Sequence, residues 1–135
     1  MSLPIFSPAS ARPPILIVDD NAAESAATLA ALQAGGFAGV AEAEGDAALR
    51  HARHSLTHVL VSELYVPCAE GTCVVRVLKG DRARLPRLHV LVHTRHTTPS
   101  DTEWALAAGC DAVVPKGAAT AVLVREVRRL EGFAA

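Results

Sequence analysis

Acidic side chains and one lysine follow apolar segments of this chain at the points where those segments end. Asp19 and Asp20 follow an early segment, Glu63 a central one and Lys116 a late one. Carboxylates that converge repel one another, and they are stable together only when a cation lies among them. Oxygen ligands suit Mg²⁺, and a lysine with a nearby hydroxyl such as Thr94 would complete a cradle for a phosphoryl group. The residue types therefore predict a site for a metal and a phosphoryl group.

These side chains can meet only if the apolar segments are parallel strands whose carboxyl ends share one edge of a sheet. The segments alternate with helical patterns, which is typical of an α/β domain with helices on both faces of the sheet. The sequence predicts strands at 15–18, 37–43, 57–62, 88–93 and 111–114. It predicts helices at 22–34, 46–54, 72–79, 100–108 and 118–130. The candidate site residues then all lie at the same edge.

Two of the predicted helices carry signals that make specific predictions. The segment Ser100–Glu103 has the pattern of a capping box, which predicts where the fourth helix begins. In the last helix the apolar positions should face the core, whereas Arg125, Arg128, Arg129 and Glu131 should face water.

Length and composition narrow the class of protein. The chain has 135 residues, a fifth of them charged, and a formal net charge of −1, which argues against general binding to nucleic acid or membrane surfaces. We interpret 1–14 as an irregular proline-rich leader, 15–131 as one domain and 132–135 as a tail. No apolar segment could span a bilayer and the start lacks a signal-peptide pattern, so we expect a cytoplasmic location. The odd number of cysteines, three, favours reduced thiols.

Several short motifs occur together in this chain. They are Ile15–Asp20, Glu63–Gly71 with Pro67, Thr94, Ala107–Gly109 and Lys116. In combination and spacing, they resemble a response-regulator receiver domain over residues 15–131. The resemblance implies a flavodoxin-like (βα)5 fold, a doubly wound five-stranded parallel sheet with strand order 2-1-3-4-5.

The resemblance also implies roles for the residues at the sheet edge. It implies a Mg²⁺ site formed by Asp19, Asp20, Glu63 and the backbone carbonyl of Tyr65. Glu63 stands where the family has the aspartate that accepts a phosphoryl group from a histidine kinase. Thr94 and Lys116 stand where the family has the residues that report the presence of that group.

Glu63 is the most consequential departure from the family pattern. A glutamate is one methylene longer than an aspartate, so its carboxylate reaches roughly 1.3–1.5 Å further. A misplacement of about 1 Å can cost roughly a hundredfold in rate. The longer side chain could instead pair directly with Lys116 and Thr94.

Three further departures affect the groups around the site. Arg95 replaces a small residue, and it could cover the site or pair with Glu63. Val113 replaces an aromatic ring, so the usual relay from the site to the outer face is missing or altered. Gly117 replaces a proline, and we predict a trans peptide bond between Lys116 and Gly117.

The preferred interpretation is an atypical receiver domain of two-component phosphorelay signalling that is not phosphorylated in the usual way. It would be a signalling domain rather than an enzyme, acting through protein partners or a histidine kinase with Glu63 as a fixed negative charge. Mg²⁺ would bind weakly or not at all. A homodimer could form through the fourth helix, fifth strand and fifth helix, where the candidate contacts are Trp104, Leu106, Val113 and 125–129.

Three alternatives stay open beside this interpretation. The first is a phosphorylatable receiver with Mg²⁺-dependent phosphoryl transfer from a histidine kinase. The second is a flavodoxin-like enzyme or nucleotide binder, although no glycine-rich phosphate loop follows any strand. The third is a zinc site at the pair His51 and His54 or the pair His93 and His96, although neither pair has a third ligand at a convincing spacing.

Overall fold

The computed structural model describes residues 12–134, in which five strands alternate with five helices. The strands are β1 (Ile15–Val18), β2 (Gly39–Glu42), β3 (Val59–Ser62), β4 (His89–Thr94) and β5 (Ala112–Pro115). The helices are α1 (Ala22–Ala34), α2 (Gly45–Ser55), α3 (Val74–Lys79), α4 (Pro99–Ala108) and α5 (Thr120–Ala134). Most of the predicted leader lies outside the described residues.

All five strands belong to one parallel sheet with the order β2-β1-β3-β4-β5, which confirms the predicted flavodoxin-like topology. Leu16 of β1 is in register with Val40 of β2 on one side and with Leu60 of β3 on the other. Because the strands are parallel, their carboxyl ends lie along one edge, and β3 ends at the middle of that edge.

Strand β1 is apolar at every position and β3 at all but its last, because both faces of the sheet are covered by helices. Alternate side chains of β1 and β3 enter two different cores. Leu16 and Leu60 pack with residues of α2, α3 and α4 on one face. Ile17 and Val61 pack with residues of α1 and α5 on the other. This packing on both faces fixes the position of each of these strands along its own axis, and therefore the position of the residue that follows it.

Most element bounds differ from the predicted ones by one or two residues. Helix α1 has the predicted bounds, because Asn21 caps its start by accepting a hydrogen bond from Glu24 N. Strands β2 and β3 are shorter than predicted, and β4 and β5 each lie one residue further along the chain. The fifth helix continues to Ala134, beyond the predicted end at 130.

The predicted start of α4 is wrong. The capping box is formed by Thr98 and Asp101, not by Ser100 and Glu103. The Thr98 side chain accepts a hydrogen bond from Asp101 N, and the Asp101 carboxylate accepts one from Thr98 N. Pro99 explains the difference, because a proline is well suited to the first helical position and places the cap one residue before itself.

The predicted exposure of Glu131 is also wrong, since only 8% of this residue is exposed. Arg12 Nη1 donates to Glu131 Oε2 at 3.0 Å and to the Glu131 backbone carbonyl at 2.6 Å. Arg12 precedes β1 and reaches the end of α5 from outside the predicted domain, so the helical pattern of α5 alone could not reveal this partner.

No helix within residues 12–134 combines the length and apolar content needed to cross a bilayer.

The three cysteines, Cys68, Cys73 and Cys110, carry free thiols, in agreement with the prediction of reduced cysteines.

Candidate functional site

The residues that follow three of the strands extend the hydrogen-bond ladder of the sheet by one further step. Asp19 N donates to Glu42 O at 3.2 Å, Glu63 N donates to Val18 O at 2.8 Å, and Lys116 N donates to Thr94 O at 3.0 Å. Their backbones are therefore fixed by the sheet, and their side chains meet at the edge where the sequence predicted them.

Lys116 lies at the centre of this site, with only 5% of its side chain exposed. Its Nζ atom donates to Asp19 Oδ2 at 2.6 Å, pairs with Glu63 Oε2 at 2.8 Å and contacts Glu24 Oε2. Burial lowers the pKa of the Lys116 ammonium, but the three carboxylates raise it more, so the pKa lies well above its ordinary value. The lysine is therefore a permanent cation at this edge of the sheet.

The second oxygen of each carboxylate also has a hydrogen-bond donor. Asp19 Oδ1 accepts from Asn21 N at 2.9 Å. Glu24 Oε1 accepts from Arg95 Nε at 2.6 Å. Glu63 Oε1 accepts from Leu64 N at 2.9 Å and from the hydroxyl of Thr94, which is fully buried. All six carboxylate oxygens of the cluster are thus held by donors of the protein itself.

These donors keep two of the carboxyl groups ionised. Burial raises the pKa of Glu63, but hydrogen bonds from Lys116, Thr94 and Leu64 N lower it more, so the net pKa is below its usual value. Hydrogen bonds from Lys116 and then Arg95 lower the pKa of Glu24. At neutral pH both glutamates are therefore carboxylates, and one of them, Glu63, directly follows the central strand.

The structure brings together most of the predicted site residues but changes one of the predicted contacts. Glu63 contacts both Lys116 and Thr94, as the sequence predicted. Of the two alternatives for Arg95, covering the site or pairing with Glu63, the pair is not formed, because Arg95 pairs with Glu24 instead. The reach of Glu24 from the first turn of α1 explains this change.

Asp20 was expected in the acidic cluster, but it is exposed and lies outside it. The chain turns between the buried Asp19 and the helix cap Asn21, and this turn directs the intervening residue towards solvent. Glu24 takes its place, and sequence reasoning missed it. The available signal was an acidic residue in the first turn of the helix that directly follows Asp19, because such a residue starts at the same edge of the sheet.

The acidic cluster has the donor chemistry of a divalent cation site but not the free space for one. Oxygens of Asp19, Glu24 and Glu63 lie within 4.8 Å of one another, and hard oxygen ligands of this kind suit Mg²⁺. However, Lys116 Nζ already contacts one oxygen of each carboxylate. In this arrangement the residues do not fit Mg²⁺, because the ion and the ammonium would need the same position.

An aromatic group forms the rim of the site beyond Glu63. The Tyr65 hydroxyl donates to Asp101 Oδ1 at 2.6 Å, which joins the loop after β3 to the start of α4. The Tyr65 ring lies 5.2 Å from the ring of His96 and 5.3 Å from the ring of Trp104, measured between centroids. Trp104 and Val113 are half-buried and pack against the core. Trp104 is thus part of the packing as well as of the surface.

Two of the other sequence predictions concern residues beside the site. The peptide bond between Lys116 and Gly117 is trans, as predicted. His93 Nδ1 lies 2.9 Å from Val114 O, and burial lowers the pKa of His93, which favours the neutral ring. His93 lines a cavity of about 140 Å³ next to Lys116. Among residues 12–134, the one cluster of three or more side chains with metal-ligand chemistry consists of carboxylates and contains no histidine.

Comparisons with known proteins agree with this architecture. Residues 15–128 match the family described as response regulator receiver domains. No curated protein matches the chain.

Several solved structures share the fold. The receiver domain of a sensor histidine kinase from Pseudomonas aeruginosa, solved with a magnesium ion coordinated in its active site cleft, is 24% identical with a TM-score of 0.78, and the match covers 90% of this chain and 99% of that one. The chemotaxis protein CheY4 of Vibrio cholerae is 22% identical with a TM-score of 0.76, covering 89% and 99%. The receiver domain of a LuxO repressor from Vibrio parahaemolyticus is 16% identical with a TM-score of 0.78, covering 92% and 93%.

Proposed function

The chain belongs to the response regulator receiver domain family of two-component signalling, and from this premise we propose that it is not phosphorylated in the usual way. In this proposal the domain acts through protein–protein interaction, and Glu63 provides a fixed negative charge where other receivers acquire a transient one. The roles of Thr94 and Lys116 are then to hold Glu63 in place rather than to recognise a phosphoryl group.

The observation that carries this proposal is the set of donors around the Glu63 carboxylate. Its Oε2 atom contacts Lys116, and its Oε1 atom accepts hydrogen bonds from Thr94 and from Leu64 N. A carboxylate that accepts several hydrogen bonds, one of them from an ammonium group, is a poor nucleophile, because its lone pairs are already engaged. The extra methylene also places these oxygens further out than those of an aspartate, in the space that an incoming phosphorus atom would need.

The same contacts support weak or absent binding of Mg²⁺, because Lys116 holds the position between the carboxylates. Receiver domains bind Mg²⁺ at an acidic pocket of this kind, and the proposed difference here is the internal cation. The proposed functional partner is a protein, either a histidine kinase or a downstream target. A homodimer formed through the face of α4, β5 and α5 stays a prediction.

Incubation with acetyl phosphate and Mg²⁺, followed by intact mass spectrometry, tests the proposal. We expect the wild-type mass to stay unchanged relative to a sample without acetyl phosphate, because Glu63 is held by its three donors. A mass increase of one phosphoryl group, located on Glu63 by peptide mapping, would overturn the proposal.

The second candidate function is a phosphorylatable receiver with Mg²⁺-dependent transfer from a histidine kinase. The acidic cluster of Asp19, Glu24 and Glu63 favours it, since this cluster offers the oxygen ligands that such a transfer uses. The acetyl phosphate experiment separates the two functions, because only this second one requires a covalent adduct.

A further inference from the structure

Glu24 joins two parts of the fold that lie on opposite sides of the end of β3. It stands in the first turn of α1, and its carboxylate contacts Arg95, the residue that follows β4. In the sheet, β3 lies between β1 and β4. A contact from the start of α1 to the residue after β4 therefore spans the carboxyl end of β3, where Glu63 lies.

The two carboxylate oxygens of Glu24 contact different cations. Oε1 accepts from Arg95 Nε at 2.6 Å, whereas Oε2 contacts Lys116 Nζ. The side chains of Glu24 and Arg95 are 23% and 68% exposed, whereas those of Lys116 and Glu63 are 5% and 12% exposed. The pair thus forms the outer layer of the site, and Lys116 and Glu63 form the inner layer.

We propose that the ion pair of Glu24 and Arg95 is a bridge that closes the acidic pocket to small phosphodonors. This inference rests on the proposed function, and it adds that Glu63 is one of two barriers to phosphorylation. The first barrier is the longer side chain at the acceptor position, and the second is the bridge formed by Glu24 and Arg95. Glu24 and Arg95 act here as positioning residues and take no part in any chemical step.

Charge alone gives a competing explanation, and the chain allows a test that separates the two. The cluster of Asp19, Glu24, Glu63, Lys116 and Arg95 has three negative and two positive charges, which sum to −1. Removing the Glu24 charge would make the pocket more attractive to an anionic phosphodonor, and removing the Arg95 charge would make it less attractive. Opening a bridge, by contrast, should increase access in both variants.

The test uses Glu63→Asp as the parent, so that an ordinary acceptor carboxylate is available. In the measured step, an oxygen of the introduced carboxylate attacks the phosphorus of acetyl phosphate. The bond from phosphorus to the acyl oxygen breaks, and its electron pair leaves with acetate. The rate of this step, followed by intact mass, is compared among the parent, E63D/E24Q and E63D/R95A.

We expect both double variants to be phosphorylated about tenfold faster than the parent, equivalent to roughly 1.4 kcal/mol in the barrier. E63D/R95K should stay near the parent, since a lysine at this position keeps a cation facing Glu24. E63D/E126Q is the matched control for loss of a carboxylate, because Glu126 pairs with Arg129 within α5. Its rate should equal that of the parent.

Three results would overturn the bridge. A faster E63D/E24Q with a slower E63D/R95A would show that charge alone controls access. Equal rates in the parent and both double variants would show that the bridge closes nothing. No adduct in any variant would show that another barrier closes the site. Phosphorylation of the wild-type protein on Glu63 would instead overturn the proposed function, so the two failures are distinguishable.

Discussion

Gly45 illustrates how one residue without a side chain sets the loop that follows Glu63. A Cβ atom at this position would lie 2.0 Å from the carbonyl oxygen of Pro67 and 3.1 Å from Cys68 Cβ. Nearby, Asp46 Oδ1 accepts from Ala69 N at 2.9 Å. The start of α2 therefore holds the loop by direct backbone contact, and this contact is possible because Gly45 has no side chain.

Gly45→Ala should destabilise the protein by about 3 kcal/mol, because the clash involves backbone that can move only if the loop moves. Urea unfolding followed by circular dichroism measures the change. Gly132→Ala is the matched control, since a Cβ there meets nothing within 4 Å on an exposed stretch of α5. The control should gain about 0.5–1 kcal/mol from helix propensity. Equal stability of the two variants would contradict the close contact.

At the scale of elements, the start of α4 is determined by Thr98 rather than by the serine that the sequence pattern favoured. Thr98→Ala removes the acceptor for Asp101 N, and we expect a loss of about 1 kcal/mol. Ser100→Ala should change stability by less than about 0.5 kcal/mol, because Ser100 is an exposed residue inside the helix. Thermal unfolding of both variants checks the assignment, and a larger loss in Ser100→Ala would contradict it.

The same element shows where sequence reasoning is strong and where it fails. The alternation of strands and helices, and hence the sheet, follows from hydrophobic patterns that extend over whole elements. Helix α1 has a polar cap at one end and a glycine at the other, so its bounds were predictable. Near α4 two overlapping capping patterns compete, and Pro99 favours the one that starts at Thr98 because proline is well suited to the first helical position.

The candidate site shows a similar division. Asp19, Glu63, Thr94 and Lys116 are placed by strand ends, so the fold alone brings them together. Glu24 is placed by the direction of a helical side chain across the sheet edge. The position of Glu24 in the first turn of α1 indicates that it starts at this edge, but the partners that its side chain reaches depend on tertiary packing. The partner of Arg95 was not predictable for the same reason, because it could be identified only once the position of Glu24 was known.

At the scale of the whole molecule, Lys116 connects segments that are far apart in the sequence. Its ammonium joins the residue after β5 to Asp19 after β1, to Glu24 in α1 and to Glu63 after β3. Lys116 is therefore the one cation of the cluster that contacts all three carboxylates. Without it, three carboxylates would face one another within 4.8 Å.

Lys116→Met should cost about 3 kcal/mol, since loss of one partner leaves buried charges uncompensated. Mg²⁺ should then stabilise this variant, because ligand binding to the folded state adds about 2.7 kcal/mol at a hundredfold excess over the dissociation constant. Melting temperatures measured with and without Mg²⁺ check both effects, and the wild type should respond little. Lys79→Met, which breaks the single pair with Asp111, should lose less and gain nothing from Mg²⁺. A Lys116→Met variant that is as stable as the wild type, or indifferent to Mg²⁺, would show that the lysine does not take the place of a divalent ion.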